Sequence, residues 1–269
     1  MPIDYDADLS VSALPAFQDN YVWVVRGLLD ERRVAVVDPG DATVVEQALA
    51  QHQWILDSIL ITHHHADHVG GIEALLSRRP GEDVPVFGPA SESIPGRSVA
   101  LSGGETINLT RLGLTFAVIS VPGHTLGHLA YYGHNTLFSG DTLFSAGCGR
   151  LFEGTAAQML HSLDRLGSLP GSTQVCCTHE YTASNLRFAA VVEPLNEARV
   201  ERTAQVLELR AKGVPTLPVR LSKERAYNPF LRSREPSVRA AVQAHAGRAI
   251  VDPMEVFATL RRWKDEFRG

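Results

Sequence analysis

The chain has 269 residues, 44% hydrophobic and 20% charged, with 25 Lys and Arg against 30 Asp and Glu. That length buries a large core, and the slight acidic excess argues against nucleic acid as the main partner. No run of about 18 apolar residues is present to span a membrane. The acidic start Met1-Pro2-Ile3-Asp4-Tyr5-Asp6 lacks the pattern of a secretory signal. The three cysteines, Cys148, Cys176 and Cys177, make a poor disulfide framework, so a cytoplasmic protein with buried thiols is expected.

Along the chain, Asn20 to Gly27 alternates and carries aromatic and β-branched residues, as a half-buried strand does. Arg33 to Val37 is a short apolar run stopped by Asp38-Pro39-Gly40, which predicts a buried strand ending in a turn. Ala42 to Gln53 has helical spacing. Ser58 to Ile61 reads as another buried strand and leads into a histidine-rich segment. Leu114 to Val121, His128 to Tyr132, Thr136 to Ser139 and Gln174 to Cys177 are further strand candidates, with a helix predicted over Thr155 to Leu166. After Tyr181 the texture changes. Ala183 to Val192, Leu195 to Lys212, Ser237 to Ala246 and Pro253 to Phe267 all have helical spacing, broken at Val214 to Pro218 and at Asn228-Pro229. The first part therefore predicts an α/β layered architecture, residues 1–179 as one domain and 180–269 as a helical appendage.

The chemistry gathers where predicted strands end. Ile61 is followed by His63, His65, Asp67 and His68; Ser139 is followed by Asp141; Cys177 is followed by His179; and His124 lies in Gly123-His124-Thr125-Leu126-Gly127-His128. Strand ends are where loops converge over a rigid sheet. Imidazole suits zinc and iron, and carboxylate is a harder donor that takes either. In an extended segment His63 and His65 point the same way and can clasp one ion. Asp67 and His68 lie past the turn, within reach of a second. A run of histidines alone reads as a polar loop; the later His and Asp residues favour a metal site.

These segments resemble the metallo-β-lactamase superfamily, and within it the glyoxalase II, or hydroxyacylglutathione hydrolase, family. The narrower resemblance rests on Gly147 to Thr155, on Thr178-His179-Glu180-Tyr181-Thr182 and on Asn228-Pro229-Phe230. It implies an αββα four-layer sandwich with a C-terminal helical domain. It implies two divalent metal ions, zinc first, with iron or manganese as alternatives. His63, His65 and His124 would hold one ion, Asp67, His68 and His179 the other, and Asp141 would bridge them. Asp67 and Asp141 would be the catalytic carboxylates. His64 and His128 would be structural, and Asp38 would orient a ligand. By spacing alone Arg261 and Lys264 read as a solvated basic helix end, favourable to the helix dipole. The resemblance makes them contacts to glutathione, together with Arg150, Tyr181 and Phe152, where some relatives carry Tyr.

The reaction implied is hydrolysis of S-D-lactoylglutathione and related S-2-hydroxyacylglutathiones to D-lactate and glutathione by a metal-bridging hydroxide, as the second step of methylglyoxal detoxification. The partner would be this small thioester, with no nucleic acid and no membrane, and the chain would be monomeric. The competing expectations are other chemistries on the same scaffold: a persulfide dioxygenase, a lactonase or a β-lactamase.

Overall fold

The computed structural model describes residues 9–269; the acidic start at residues 1–6 lies outside them. In chain order the strands and helices are β1 (Val11–Ala16), β2 (Asn20–Arg26), β3 (Arg33–Val37), α1 (Ala42–His52), β4 (Ile55–Leu60), α2 (Ala66–Val69), α3 (Ile72–Ser77), β5 (Val86–Pro89), β6 (Val99–Leu101), β7 (Thr106–Leu109), β8 (Leu114–Ser120), β9 (Leu129–Gly133) and β10 (Thr136–Gly140). There follow β11 (Leu143–Phe144), β12 (Gly147–Cys148), α4 (Ala156–Gly167), β13 (Gln174–Cys177), α5 (Thr182–Val192), α6 (Glu197–Ala211), β14 (Val219–Arg220), α7 (Leu221–Tyr227), α8 (Pro236–Ala246) and α9 (Pro253–Glu266). The described residues form two compact units interleaved in sequence. One runs to Ser120 and adds Gly127–Gly140 and Cys176–His179; the other takes Val121–Leu126, Asp141–Val175 and Glu180–Gly269.

The first unit holds a sheet in the order β1-β2-β3-β4-β5-β6. β1, β2 and β3 pair antiparallel, whereas β3 to β6 pair parallel. That difference explains the sequence texture. Val34 to Val37 and Ile59 to Leu60 are buried on both faces and read as continuous apolar runs. Helix α1 starts at Asp41, whose side chain accepts from the Thr43 N–H at 2.7 Å, and packs Val45 and Leu49 against this sheet. Each such fully buried aliphatic side chain stabilises by roughly 1.5–3 kcal/mol. A second, antiparallel set runs β10-β9-β8-β7, and the Cys176-Cys177 end of β13 lies beside β10. Tyr131 OH donates to the Ile61 carbonyl at 2.7 Å and Trp23 Nε1–H to the Cys177 carbonyl at 3.0 Å. These bonds fasten one sheet to the other near the strand ends.

The second unit is mainly helical, with the β11–β12 hairpin and the pairing of β13 with β14. Helix α4 begins with a capping box in which Thr155 and Gln158 exchange side-chain and backbone bonds. Helix α9 starts on Asp252, with Pro253 in its first turn, and buries Val256, Phe257 and Leu260. Ala146, Leu186, Val206 and Tyr227 form a small core of their own. The predicted helices after Tyr181 are present within a few residues, and α7 is an addition to them. No helix among the described residues is long and apolar enough to cross a membrane.

Candidate functional site

In the first unit the segment after β4 is shaped by the turn after β3. Asp38 adopts a left-handed backbone conformation (φ 51°). Its carboxylate accepts from the Thr62 N–H at 2.8 Å and the Thr62 hydroxyl at 2.7 Å. The two turns touch so closely that a Cβ on Gly40 would stand 1.8 Å from the Asp67 carbonyl oxygen. Only glycine fits there. The same Asp38 carboxylate lies 3.0 Å from His68 Nδ1. Asp38 therefore holds both ends of the histidine-rich segment.

His63 is fully buried, with Nδ1 3.1 Å from the Thr62 hydroxyl and Nε2 3.0 Å from His65 Nδ1. Its ring stacks on His128 at 4.7 Å and 19°. His64 turns away and places Nδ1 3.0 Å from Glu92 Oε2. Asp67 Oδ2 lies 3.7 Å from His68 Nε2 and 3.4 Å from His179 Nε2, and accepts from the Asn20 amide at 2.9 Å. His179 Nδ1 is 2.8 Å from Asp19 Oδ1. Asp67, His68 and His179 thus each offer a ligand atom within 4.8 Å of the others. In both histidines a carboxylate holds Nδ1 and leaves Nε2 facing Asp67. Metal-binding histidines are oriented in this way, and the donor set fits a divalent cation. Asp19 and Asn20 were not anticipated, because nothing local in the sequence marks a turn residue that acts on a side chain 160 positions away.

In the second unit His124 places Nδ1 2.9 Å from the Arg150 carbonyl oxygen and Nε2 3.5 Å from Asp141 Oδ2. Both residues line a cavity of about 400 Å³. Arg150, Phe152, Tyr181, Arg261 and Lys264 line it too, so the five residues expected to meet substrate share one cavity with two of the expected metal ligands. Arg261 is not the solvated helix end that spacing alone implied. It is only 4% exposed, donates to the Cys148 carbonyl at 2.8 Å and to Asp265 Oδ1 at 3.1 Å, and lies 5.0 Å over the Phe230 ring. Asp265 Oδ1 is also 3.7 Å from Arg150 Nε, so one carboxylate spaces the two guanidinium groups. The Lys264 ammonium sits over Phe188 and Phe267. Burial, and after it the charges of Arg261, Arg150 and Arg187, hold its pKa below the ordinary lysine value. Phe152, 63% exposed, meets the His124 ring edge-on at 5.1 Å. A cavity lined by three cations, with an imidazole and a carboxylate at its wall, is built for an anion carrying a reactive group.

The metallo-beta-lactamase superfamily model matches residues 16–179, and the model for the hydroxyacylglutathione hydrolase C-terminus matches residues 180–267. The chain is 54% identical to the hydroxyacylglutathione hydrolase of Cupriavidus taiwanensis over 269 residues, covering 97% of this chain and all of that protein. It is likewise 54% identical to the one from Pseudomonas aeruginosa strain PAO1 over 264 residues, covering 96% and 100%. Among solved structures, ETHE1 from Myxococcus xanthus shares the fold at a TM-score of 0.65 and 22% identity, covering 94% of this chain and 89% of that one. TTHA1623, solved in a di-iron-bound form, aligns at a TM-score of 0.50 and 30% identity, covering 63% and 91%.

Proposed function

The chain belongs to the hydroxyacylglutathione hydrolases of the metallo-beta-lactamase superfamily, and we propose that it hydrolyses S-D-lactoylglutathione and related 2-hydroxyacyl thioesters to the free acid and glutathione. The observation that carries this substrate is the cavity in which His124 and Asp141 share walls with Arg150, Arg261 and Lys264. Glutathione brings two carboxylates, and the three cations answer them.

In this reading His63, His65 and His124 would hold one divalent ion and Asp67, His68 and His179 a second, with Asp141 available to both. Zinc is the first choice, and iron and manganese fit the same donors. When bound, two such ions would supply Lewis acidity and lower the pKa of a water toward neutrality. The chain's own residues do the rest. Asp38 and Asp19 fix the rings of His68 and His179, and Asn20 fixes Asp67. Arg261, anchored on Cys148 and Asp265, offers a rigid guanidinium to a carboxylate. Lys264 adds a point charge, and Phe152 and Tyr181 shape the walls. The acyl carbon gains the oxygen of water and loses sulfur. The leaving thiolate has a parent pKa near about 8.5, so its departure does not demand a strong acid.

Residues 1–179 act as the catalytic segment and 180–269 as the helical segment that brings substrate contacts. The abutting family models at 179 and 180 support that division. The same reading makes the chain a cytoplasmic monomer in methylglyoxal detoxification, with no nucleic acid or membrane partner.

The test is release of free thiol from S-D-lactoylglutathione by zinc-loaded protein. The thioester is cleaved by the native chain, and Asp141→Asn is expected to lose most of that rate. Equal rates for the two, or none for the native chain with metal bound, would sink the proposal.

A further inference from the structure

The β11–β12 hairpin supplies Phe144 and Cys148 to the cavity wall, and its turn carries a conformation that its own residues do not explain. Ala146 lies at φ 55°, a region costly for a residue with a Cβ and no polar side chain to cap it. What holds it comes from elsewhere. The Glu224 carboxylate, fully buried on α7, accepts from the Ala146 N–H at 2.7 Å and the Ser145 hydroxyl at 2.7 Å. It also accepts from the Tyr227 hydroxyl at 2.6 Å and the Asn228 amide at 3.1 Å. Asn228 donates in turn to the Phe144 and Gly147 carbonyls, both at 3.0 Å, and Asn185 donates to the Ser145 carbonyl at 3.0 Å.

The turn therefore has four backbone groups tied to three buried side chains. Beyond it, a Cβ on Gly149 would stand 1.9 Å from the Asp141 carbonyl oxygen, so the chain just after β12 lies directly against the Asp141 backbone. Cys148 carries the carbonyl to which Arg261 is anchored. A buried carboxylate is costly, and burial pushes the Glu224 carboxyl above its usual range even with four donors on it. Without it the buried donors of Ala146, Ser145, Tyr227 and Asn228 would each lose an acceptor, so the turn, Tyr227 and Asn228 depend together on this one carboxylate.

We propose that Glu224 is a positioning residue for the hydrolytic reaction: it holds the Ser145-Ala146 turn in its left-handed form, and so sets the place of Phe144 and of the Cys148 carbonyl that anchors Arg261. This rests on the thioester reading given above. It acts on substrate binding more than on the chemical step, because the part it moves is the cavity wall and the guanidinium anchor.

Glu224→Ala and Glu224→Gln separate this from a merely structural role. In the Gln side chain the amide oxygen can face the Ala146 and Asn228 donors. Its NH2 can face the Ser145 and Tyr227 hydroxyls, which rotate to accept. Steady-state kinetics on zinc-loaded proteins, with glutathione binding measured separately by titration calorimetry, give the readouts. For Glu224→Ala, KM rises about tenfold and glutathione binding weakens in parallel, while kcat falls less than about threefold; Glu224→Gln restores most of the KM. A folded Glu224→Ala protein with native KM and native glutathione affinity would overturn the proposal. So would a Glu224→Gln loss equal to that of Glu224→Ala. If Glu224→Ala does not fold, Ser145→Ala takes its place. It removes one donor from the turn, is expected to raise KM severalfold, and overturns the proposal if KM stays native. Failure of the native chain to cleave the thioester while it still binds glutathione would instead count against the thioester reading.

Discussion

Lys264 is the residue whose surroundings speak most directly to an observable. Burial, and after it three neighbouring arginines, hold its pKa below the ordinary lysine value. Its ammonium is therefore lost on the alkaline side at a lower pH than that of a free lysine, and with it one of the charges lining the cavity. KM for a glutathione thioester is expected to rise with pH in that range, before ordinary lysines titrate. Lys264→Arg, which keeps its charge, flattens the rise. The KM–pH profiles of the two proteins decide it, and coincident profiles would refute the assignment. The histidines tell a related story of legibility. His63, His65, His68 and His179 were readable because each follows closely on an apolar run that forms a strand. The carboxylates that orient two of them were less so. The role of Asp38 is implied only through the family resemblance, and nothing in the sequence marks Asp19.

At the level of elements, segments with an apolar run or a helical period are legible, down to the four-residue β13, whereas β1, β5, β6, β7, β11, β12 and β14 are not. α1, α4 and α9 have caps and an apolar face that a sequence displays, and α6 has its Asn196 cap. β1 carries Pro15, which cannot donate to a ladder and marks it as an edge strand. β5 ends in Gly88-Pro89, and β6, β11, β12 and β14 are too short to show any period. Helix α4 offers a clean test of the capping argument. The Gln158 N–H donates to the Thr155 hydroxyl at 3.2 Å, and the Thr155 N–H to Gln158 Oε1 at 2.8 Å. Thr155→Ala is expected to lower stability by about 1 kcal/mol with kcat unchanged, seen as a lower urea midpoint at an unaltered slope. An unchanged midpoint would show that the packing of Met159, Leu160 and Leu163 carries the helix without its cap.

For the whole molecule the clearest expectation concerns metal. An ion that binds the folded chain and not the unfolded one stabilises it by mass action, about 2.7 kcal/mol per site at a hundred times the dissociation constant. At about 2–4 °C per kcal/mol for chains of this size, zinc should raise the melting temperature of metal-stripped protein by several degrees, and a chelator should reverse it. Asp141→Asn should shrink that shift. A melting temperature indifferent to zinc in the native chain would mean that the His and Asp groups hold no ion.

The sequence by itself determined the class of architecture, the metal-binding residue types and, through family resemblance, the chemistry. Those are written in local patterns: apolar period, strand-end histidines, and short motifs such as Thr178 to Thr182. Tertiary structure alone decided which carboxylate holds which ring, that Arg261 is buried and anchored rather than solvated, and that Glu224 braces a turn 78 residues away. These are pairings between side chains far apart in the chain. Their partners are chosen by packing, and packing leaves no periodic trace in the residues on either side.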